Sequence, residues 1–269
     1  MFKDFLNSTY LIPGKMAFSY FVYYGIIYVA IITVLFLVSN KMKARGYNNK
    51  KVNQFIIGSY LVITFSAYIG TRFANMFYLP SYIWNKELFI YSIFGSGIHT
   101  YHSGLITGFL LMTLLIKIFN FNIAKTEDII FLYIPIAHAI GRTACLLVGC
   151  CWGGVVSINI FGNSYTFLNP TPLYSIIYNL LLFLILNHIY NYNTKHFSDR
   201  LNGIIISAYL IFFAVGRFIQ EFFRKEPIVY FNMTQAQIIS LLSFLLGVVI
   251  LLTITTNKIL TDKRIANDK

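Results

Sequence analysis

A chain of 269 residues that is 57% hydrophobic and 11% charged, with mean hydropathy +0.67, is too apolar for a soluble globular domain. Its net charge of +12 calls for no nucleic acid, because lysines and arginines on cytoplasmic loops beside anionic lipid account for it. Three cysteines are too few to define a disulfide framework. Apolar runs long enough to cross about 30 Å of hydrocarbon recur along the chain. The sequence therefore predicts an all-α polytopic membrane protein, a single integral membrane domain over residues 1–269. No repeat of 20–50 residues and no low-complexity linker interrupts it. The first residues lack the layout of a cleaved signal peptide, so the first span is expected to be its own insertion signal.

In chain order, the first span is expected over residues 18–39. A loop with Lys41, Lys43, Arg45, Lys50 and Lys51 and no acid follows, which the positive-inside rule makes cytoplasmic. The second span covers 52–79 with Arg72 late in it. An outer loop over 80–97 leads to the third span, 99–119, entered through Gly95, Gly97, His99, His102 and Gly104. The fourth, 129–148, carries His138 and Arg142. The outer segment 149–171 contains no acidic or basic residue. The fifth span is expected over 172–190 and the sixth over 203–223, with Arg217, Glu221 and Arg224 near its outer end. The seventh, 236–256, precedes a basic C-terminal segment. Of the 21 Lys and Arg, thirteen fall on inner loops and helix ends and five on outer segments. Seven spans with the N-terminus outside and the C-terminus inside follow from that bias.

The organising stretch is 140–154, where the fourth span breaks into Gly149, Cys150, Cys151, Trp152, Gly153 and Gly154. An arginine inside an apolar run costs roughly 2.5–3.5 kcal/mol at the bilayer centre. Arg142 alone could be an anchor among small residues that let helices approach. In the expected topology, however, Arg72, His99, His102, Arg142, Cys145, Arg217, Glu221 and Arg224 share one depth on four helices. Arg217, Glu221 and Arg224, spaced by four and three, lie on one helical face. One acid between two arginines is a natural brace, yet it leaves Arg72, Arg142, Arg217 and Arg224 facing one carboxylate. A buried cationic excess implies an outside anion, most simply a lipid phosphate held by guanidinium forks. An imidazole such as His102 is the side chain that takes a proton near neutral pH; a solvated or capping role is the plainer alternative. His99 and His138 read as structural.

These residues resemble the prolipoprotein diacylglyceryl transferase family. Gly141-Arg142 through Trp152-Gly153 resembles the family signature, and Tyr24-Gly25 its Tyr-Gly. Gly70-Thr71-Arg72, Tyr101-His102-Ser103-Gly104-Leu105-Ile106 and Asn169-Pro170-Thr171-Pro172-Leu173-Tyr174 each resemble a family motif in the same order. Arg217 through Arg224 resembles its Arg-x3-Glu-Phe-x-Arg. The departures are Cys145 and Val148 in place of asparagines, Cys150 for a glutamate, Asn169 for a histidine and Ser175 for a glutamate.

The resemblance implies transfer of a diacylglyceryl group from phosphatidylglycerol to the lipobox cysteine in the signal peptide of a preprolipoprotein, in a bacterial cytoplasmic (inner) membrane. A thiolate displaces glycerol phosphate at carbon, which needs a base and cationic stabilisation of the leaving phosphate. His102 is the expected base, with Arg142 and Arg217 as phosphate clamps. Tyr24, Arg72, Gly104, Cys145, Gly153, Glu221 and Arg224 are the expected substrate-binding residues. No cofactor and no metal is expected. A different acceptor, or a non-catalytic lipid-binding membrane module, are the alternatives. Because the product is a thioether, a poor leaving group, Cys145, Cys150 and Cys151 are not expected to be nucleophiles. They are expected to be free thiols packed as small apolar side chains.

Overall fold

A computed structural model describes residues 13–70, 87, 101–160, 163–197, 201–224 and 228–267. Among these lie the helices α1 (Pro13–Ala44), α2 (Asn49–Phe65), α3 (Tyr101–Ile118), α4 (Ile123–Val148), α5 (Thr171–Phe197), α6 (Ile204–Glu221) and α7 (Gln235–Asn267). A π-helical turn, Ser66–Gly70, prolongs α2. Six stretches are long and apolar enough to cross a membrane, in α1, α2 with its extension, and α4 to α7; α3 adds the shorter apolar run Ile106–Ile118. The chain is a mainly helical, multi-pass membrane protein.

The all-α expectation needs one correction. Residues between the expected spans form two short antiparallel hairpins. The first pairs β1 (Val155–Ile160) with β2 (Asn163–Leu168); the second pairs β3 (Ile228–Tyr230) with β4 (Met233–Thr234). Val155-Val156-Ser157-Ile158 and Ser164-Tyr165-Thr166-Phe167 are rich in β-branched and aromatic residues, and the ladder bonds satisfy backbone groups that an open loop would leave to water.

The chain divides into two compact units, Met1–Val34 with Glu127–Lys269, and Leu35–Thr126. In the smaller unit α2 starts at Asn48, whose side chain accepts from the Lys50 and Lys51 amides and so fills orphan donors of the first turn. Small residues bring α2 and α3 close: Gly58 faces Leu115, and Gly108 faces Ser66. Phe55, fully buried, contacts Phe119 and Phe121 edge-on and closes one end of this unit.

In the larger unit the ring of Tyr178 on α5 lies so close over Gly216 on α6 that a Cβ would collide with it, and its hydroxyl donates to the Phe212 carbonyl. Gly247 of α7 also packs closely, though less tightly, against Leu210 and Ile211 of α6. Gly141 of α4 faces Ile27 of α1. These contacts run down the helices. Their ends are fixed by polar groups.

At the end where α6 begins, the buried carboxylate of Asp128 on α4 accepts from the amides of Gly203 (2.7 Å), Ile205 (3.0 Å) and Ile206 (3.1 Å). Gly203 has φ +91° and no side chain to cap its own helix, so the cap is supplied from 75 residues away. A carboxylate at a helix N-terminus also meets the positive end of the helix dipole.

Candidate functional site

The opposite end of the larger unit gathers the C-termini of α4 and α6, the N-termini of α5 and α7, and the hairpin strands. Helix α4 ends in a Schellman turn. The Cys150 amide donates to the Cys145 carbonyl at 3.0 Å, and Gly149 between them holds φ +77°. A helix continuing through Gly149 would put Cys145 and Cys150 on different faces; the turn folds Cys150 back over Cys145. Cys151 takes φ +63°, a left-handed conformation uncommon for a residue with a Cβ, and the Thr171 hydroxyl donates to its carbonyl.

The segment is then locked onto its neighbours. The Gly153 amide donates to the Asn169 carbonyl (2.8 Å), the Asn169 amide to the Gly154 carbonyl (2.9 Å), and the Gly154 amide to the Phe223 carbonyl (3.1 Å). A Cβ on Gly153 would strike that same Phe223 oxygen, so only glycine fits. Asn169, one of the departures, accepts from the Tyr174 hydroxyl at 3.0 Å. Ser175, another, donates to Gln220 on α6 at 2.7 Å.

On α6, Glu221 is 3% exposed. Its Oε2 lies 2.7 Å from the Arg217 guanidinium and 3.9 Å from Arg224 Nε. The Thr234 hydroxyl donates to its other oxygen at 3.1 Å. Thr234 is itself half of a capping box: the Gln237 amide donates to the Thr234 hydroxyl, and the Thr234 amide to the Gln237 side chain. One carboxylate thus ties together two arginines and the start of α7.

The third guanidinium, Arg142, stands one turn before Cys145 on α4 and is half-buried. Among the described residues no carboxylate pairs with it. Its field reaches the thiols, and so does that of Arg224. Cys145 is buried, Cys150 half-buried and Cys151 exposed, all three free, with their sulfur atoms within 4.8 Å of one another. The Cys145 and Cys150 thiols donate to Cys151, and Arg142 and Arg224 add positive potential; together these hold the Cys151 thiol below its ordinary range. Cys150 is pushed the other way by its hydrogen bonds to Cys145 and Cys151. Tyr23 on α1 lies within electrostatic reach of the three thiols and Arg142.

The expected site residues divide accordingly. Arg142, Cys145, Gly153, Arg217, Glu221 and Arg224 come together at one end of the larger unit. Tyr24 is 53% exposed and contacts Tyr23 edge-on, and Tyr23 is within electrostatic reach of the thiols. His102 and Gly104 lie in the first turn of α3, in the smaller unit; the His102 side chain is outside the described residues, as are Arg72 and His99. Of the cysteines, Cys145 packs as a small apolar side chain, whereas Cys151 reaches the surface on a strained backbone. No metal was expected from the sequence, yet the structure gathers three thiols. Tyr23, Gln220 and Thr234 were not singled out in the sequence. The capping box Thr234-x-x-Gln237 was the legible signal for the last.

Two arginines share the Glu221 carboxylate, and Arg142 stands at the same end of the unit. An anion with several oxygens is the ligand that such a set of planar donors accepts. The prolipoprotein diacylglyceryl transferase family model matches residues 15–253, nearly the whole chain. The chain belongs to this family.

Individual relatives agree. The phosphatidylglycerol–prolipoprotein diacylglyceryl transferase of Clostridium tetani is 30% identical over 237 residues, 84% of this chain and 90% of the relative. That of Staphylococcus haemolyticus is 28% identical over 268 residues, 93% of this chain and 88% of the relative. That of Clostridioides difficile is 29% identical over 186 residues, 67% and 72% respectively. Within the prolipoprotein diacylglyceryl transferase family, this chain combines the arginine–glutamate group of α6 with a cysteine cluster.

Proposed function

We propose that this protein transfers the diacylglyceryl group of phosphatidylglycerol to the lipobox cysteine thiol of a preprolipoprotein. The observation that carries the reading is the gathering of Arg142, Arg217 and Arg224 at the end of the larger unit where Glu221 is buried, in a chain matched by the family model from residue 15 to 253. The names of the relatives supply the donor and the acceptor. In this reading Arg142 and Arg217 hold the donor phosphate, and Arg224 and Glu221 fix its orientation. The acceptor thiol gives up its proton, its sulfur attacks the glyceryl carbon, and the carbon–oxygen bond to phosphate breaks. Glycerol phosphate leaves with the electron pair, its added charge met by the guanidinium groups.

His102 is the proposed proton acceptor, on the strength of its Tyr-His-Ser-Gly-Leu-Ile motif. Arg72, Tyr24, Gly104, Gly153 and Cys145 are proposed to line the substrates, again from their motifs. The charge bias of the loops supports seven spans with the N-terminus outside and the C-terminus inside, as one integral domain of the bacterial inner membrane.

The test is transfer from labelled phosphatidylglycerol to a synthetic lipobox peptide by the purified full chain in detergent. A diacylglyceryl mass increment on the peptide cysteine, with release of glycerol phosphate, is expected. A protein that retains phosphatidylglycerol but leaves the peptide unmodified would favour a lipid-binding module.

A further inference from the structure

Three free thiols on a short stretch of chain are brought within 4.8 Å of one another by two left-handed residues, Gly149 and Cys151, and by the hydrogen bond from Thr171 to the Cys151 carbonyl. Packing does not require this. A small apolar side chain would fill the place of Cys145, and Cys151 is exposed. A metal bound at about 2.3 Å from each of three thiolates sets them roughly 3.8 Å apart in tetrahedral geometry, so the sulfur atoms need only close slightly. Thiolates select soft or borderline d10 cations. Three of them on a zinc ion carry one net negative charge, and Arg142 and Arg224 already bias this spot positively.

We propose that Cys145, Cys150 and Cys151 form a three-thiolate zinc site whose open fourth position receives the acceptor's lipobox thiol. This rests on the transferase reading above and adds to it how the nucleophile is made. Catalytic zinc keeps three protein ligands and one exchangeable position. A thiol that coordinates zinc is deprotonated outright. The exposed side of Cys151 leaves the fourth position accessible, and Arg142, whose field reaches the cluster, is the residue proposed to hold the donor phosphate.

The step balances without an oxidant. The acceptor thiol binds the metal and loses its proton to the medium. A sulfur lone pair forms the bond to the glyceryl carbon as the carbon–oxygen bond to phosphate breaks, and glycerol phosphate leaves with that electron pair. The thioether formed is neutral, a weak ligand, and departs. The protein's own cysteines remain unalkylated throughout.

The experiment uses the full chain purified in detergent under reducing conditions. Metal analysis should find about one zinc per chain, removable by a chelator and restored by added Zn2+. Cobalt in place of zinc should show a sulfur-to-metal charge-transfer band that strengthens when a lipobox peptide is added and does not change with its Cys→Ser counterpart. Cys145→Ser, Cys150→Ser and Cys151→Ser should each lower zinc content at least tenfold. Because a variant could misfold, stripping and reloading wild-type protein carries the same test: peptide transfer should fall at least tenfold in the stripped protein and return with zinc.

Transfer that persists unchanged in fully stripped protein would overturn the metal proposal and leave the transferase reading standing. A zinc content below one-tenth per chain after reloading with reduced thiols, or a two-hydrogen mass deficit showing a disulfide, would overturn it as well. Stoichiometric zinc with a peptide-responsive cobalt band, but no transfer from phosphatidylglycerol, would support the site and count against the donor assigned above.

Discussion

Two buried carboxylates near opposite ends of the larger unit, Asp128 and Glu221, are used differently. Asp128 receives three backbone amides, all from the first turn of α6 and the residue before it. Its oxygens are taken up by the amides that start a helix. Glu221 receives two arginines and a hydroxyl, and Arg142 lies at the same end of the unit. A buried acid answered by amides fixes a helix. A buried acid outnumbered by guanidinium groups prepares a place for another anion.

Substitutions should separate the two ends cleanly. The largest effect is expected at Arg142, where alanine removes a charge that meets the departing phosphate. Losses of about 100-fold or more in transfer rate are typical for such a donor. Arg142→Lys should recover little, because a point charge cannot make the bidentate fork. Thermal unfolding of both variants should stay near wild type. Equal turnover in Arg142→Ala would erase the contrast.

At the other end the effect should reverse. Asp128→Ala uncovers three amides at the start of α6 and should lower stability by about 2 kcal/mol, in the range of a strong helix cap. The transfer rate per folded molecule should be unchanged. A rate loss without a stability loss would place Asp128 in the site after all.

The pH profile gives a smaller, more discriminating effect. His102→Gln should lose transfer at neutral pH and regain part of it as pH approaches the free thiol pKa of about 8.5. A loss that is the same at every pH would make His102 a positioning residue. The smallest effect is expected for Thr234→Ala, which removes half of a capping box and one bond to Glu221. About 1 kcal/mol of stability should go, with transfer reduced only a few-fold by the loosened carboxylate.

Much of this was legible in the sequence, and the reasons differ by element. Helix positions followed from apolar run length, and Arg217, Glu221 and Arg224 from a spacing that only a helix turns into one face. The first hairpin was missed because the segment between α4 and α5 was read by its lack of charge rather than by its β-branched residues. Asp128 was missed because its partner amides lie some 75 residues downstream, a separation no local pattern reveals. The cysteine cluster was half legible: the glycines signalled the break in α4, but the left-handed Cys151 that completes the triangle depends on Thr171, which is contributed by another helix.

The most direct measurement of the central claim is retention of phosphatidylglycerol. Native mass spectrometry of the full chain and of Arg142→Ala, each loaded with equal phosphatidylglycerol and a neutral diacylglycerol, reads phosphate recognition apart from chemistry. Wild type should hold phosphatidylglycerol in clear preference to the neutral lipid, and Arg142→Ala should lose most of that preference. The same preference in both proteins would contradict the assignment of the arginine excess to the donor phosphate.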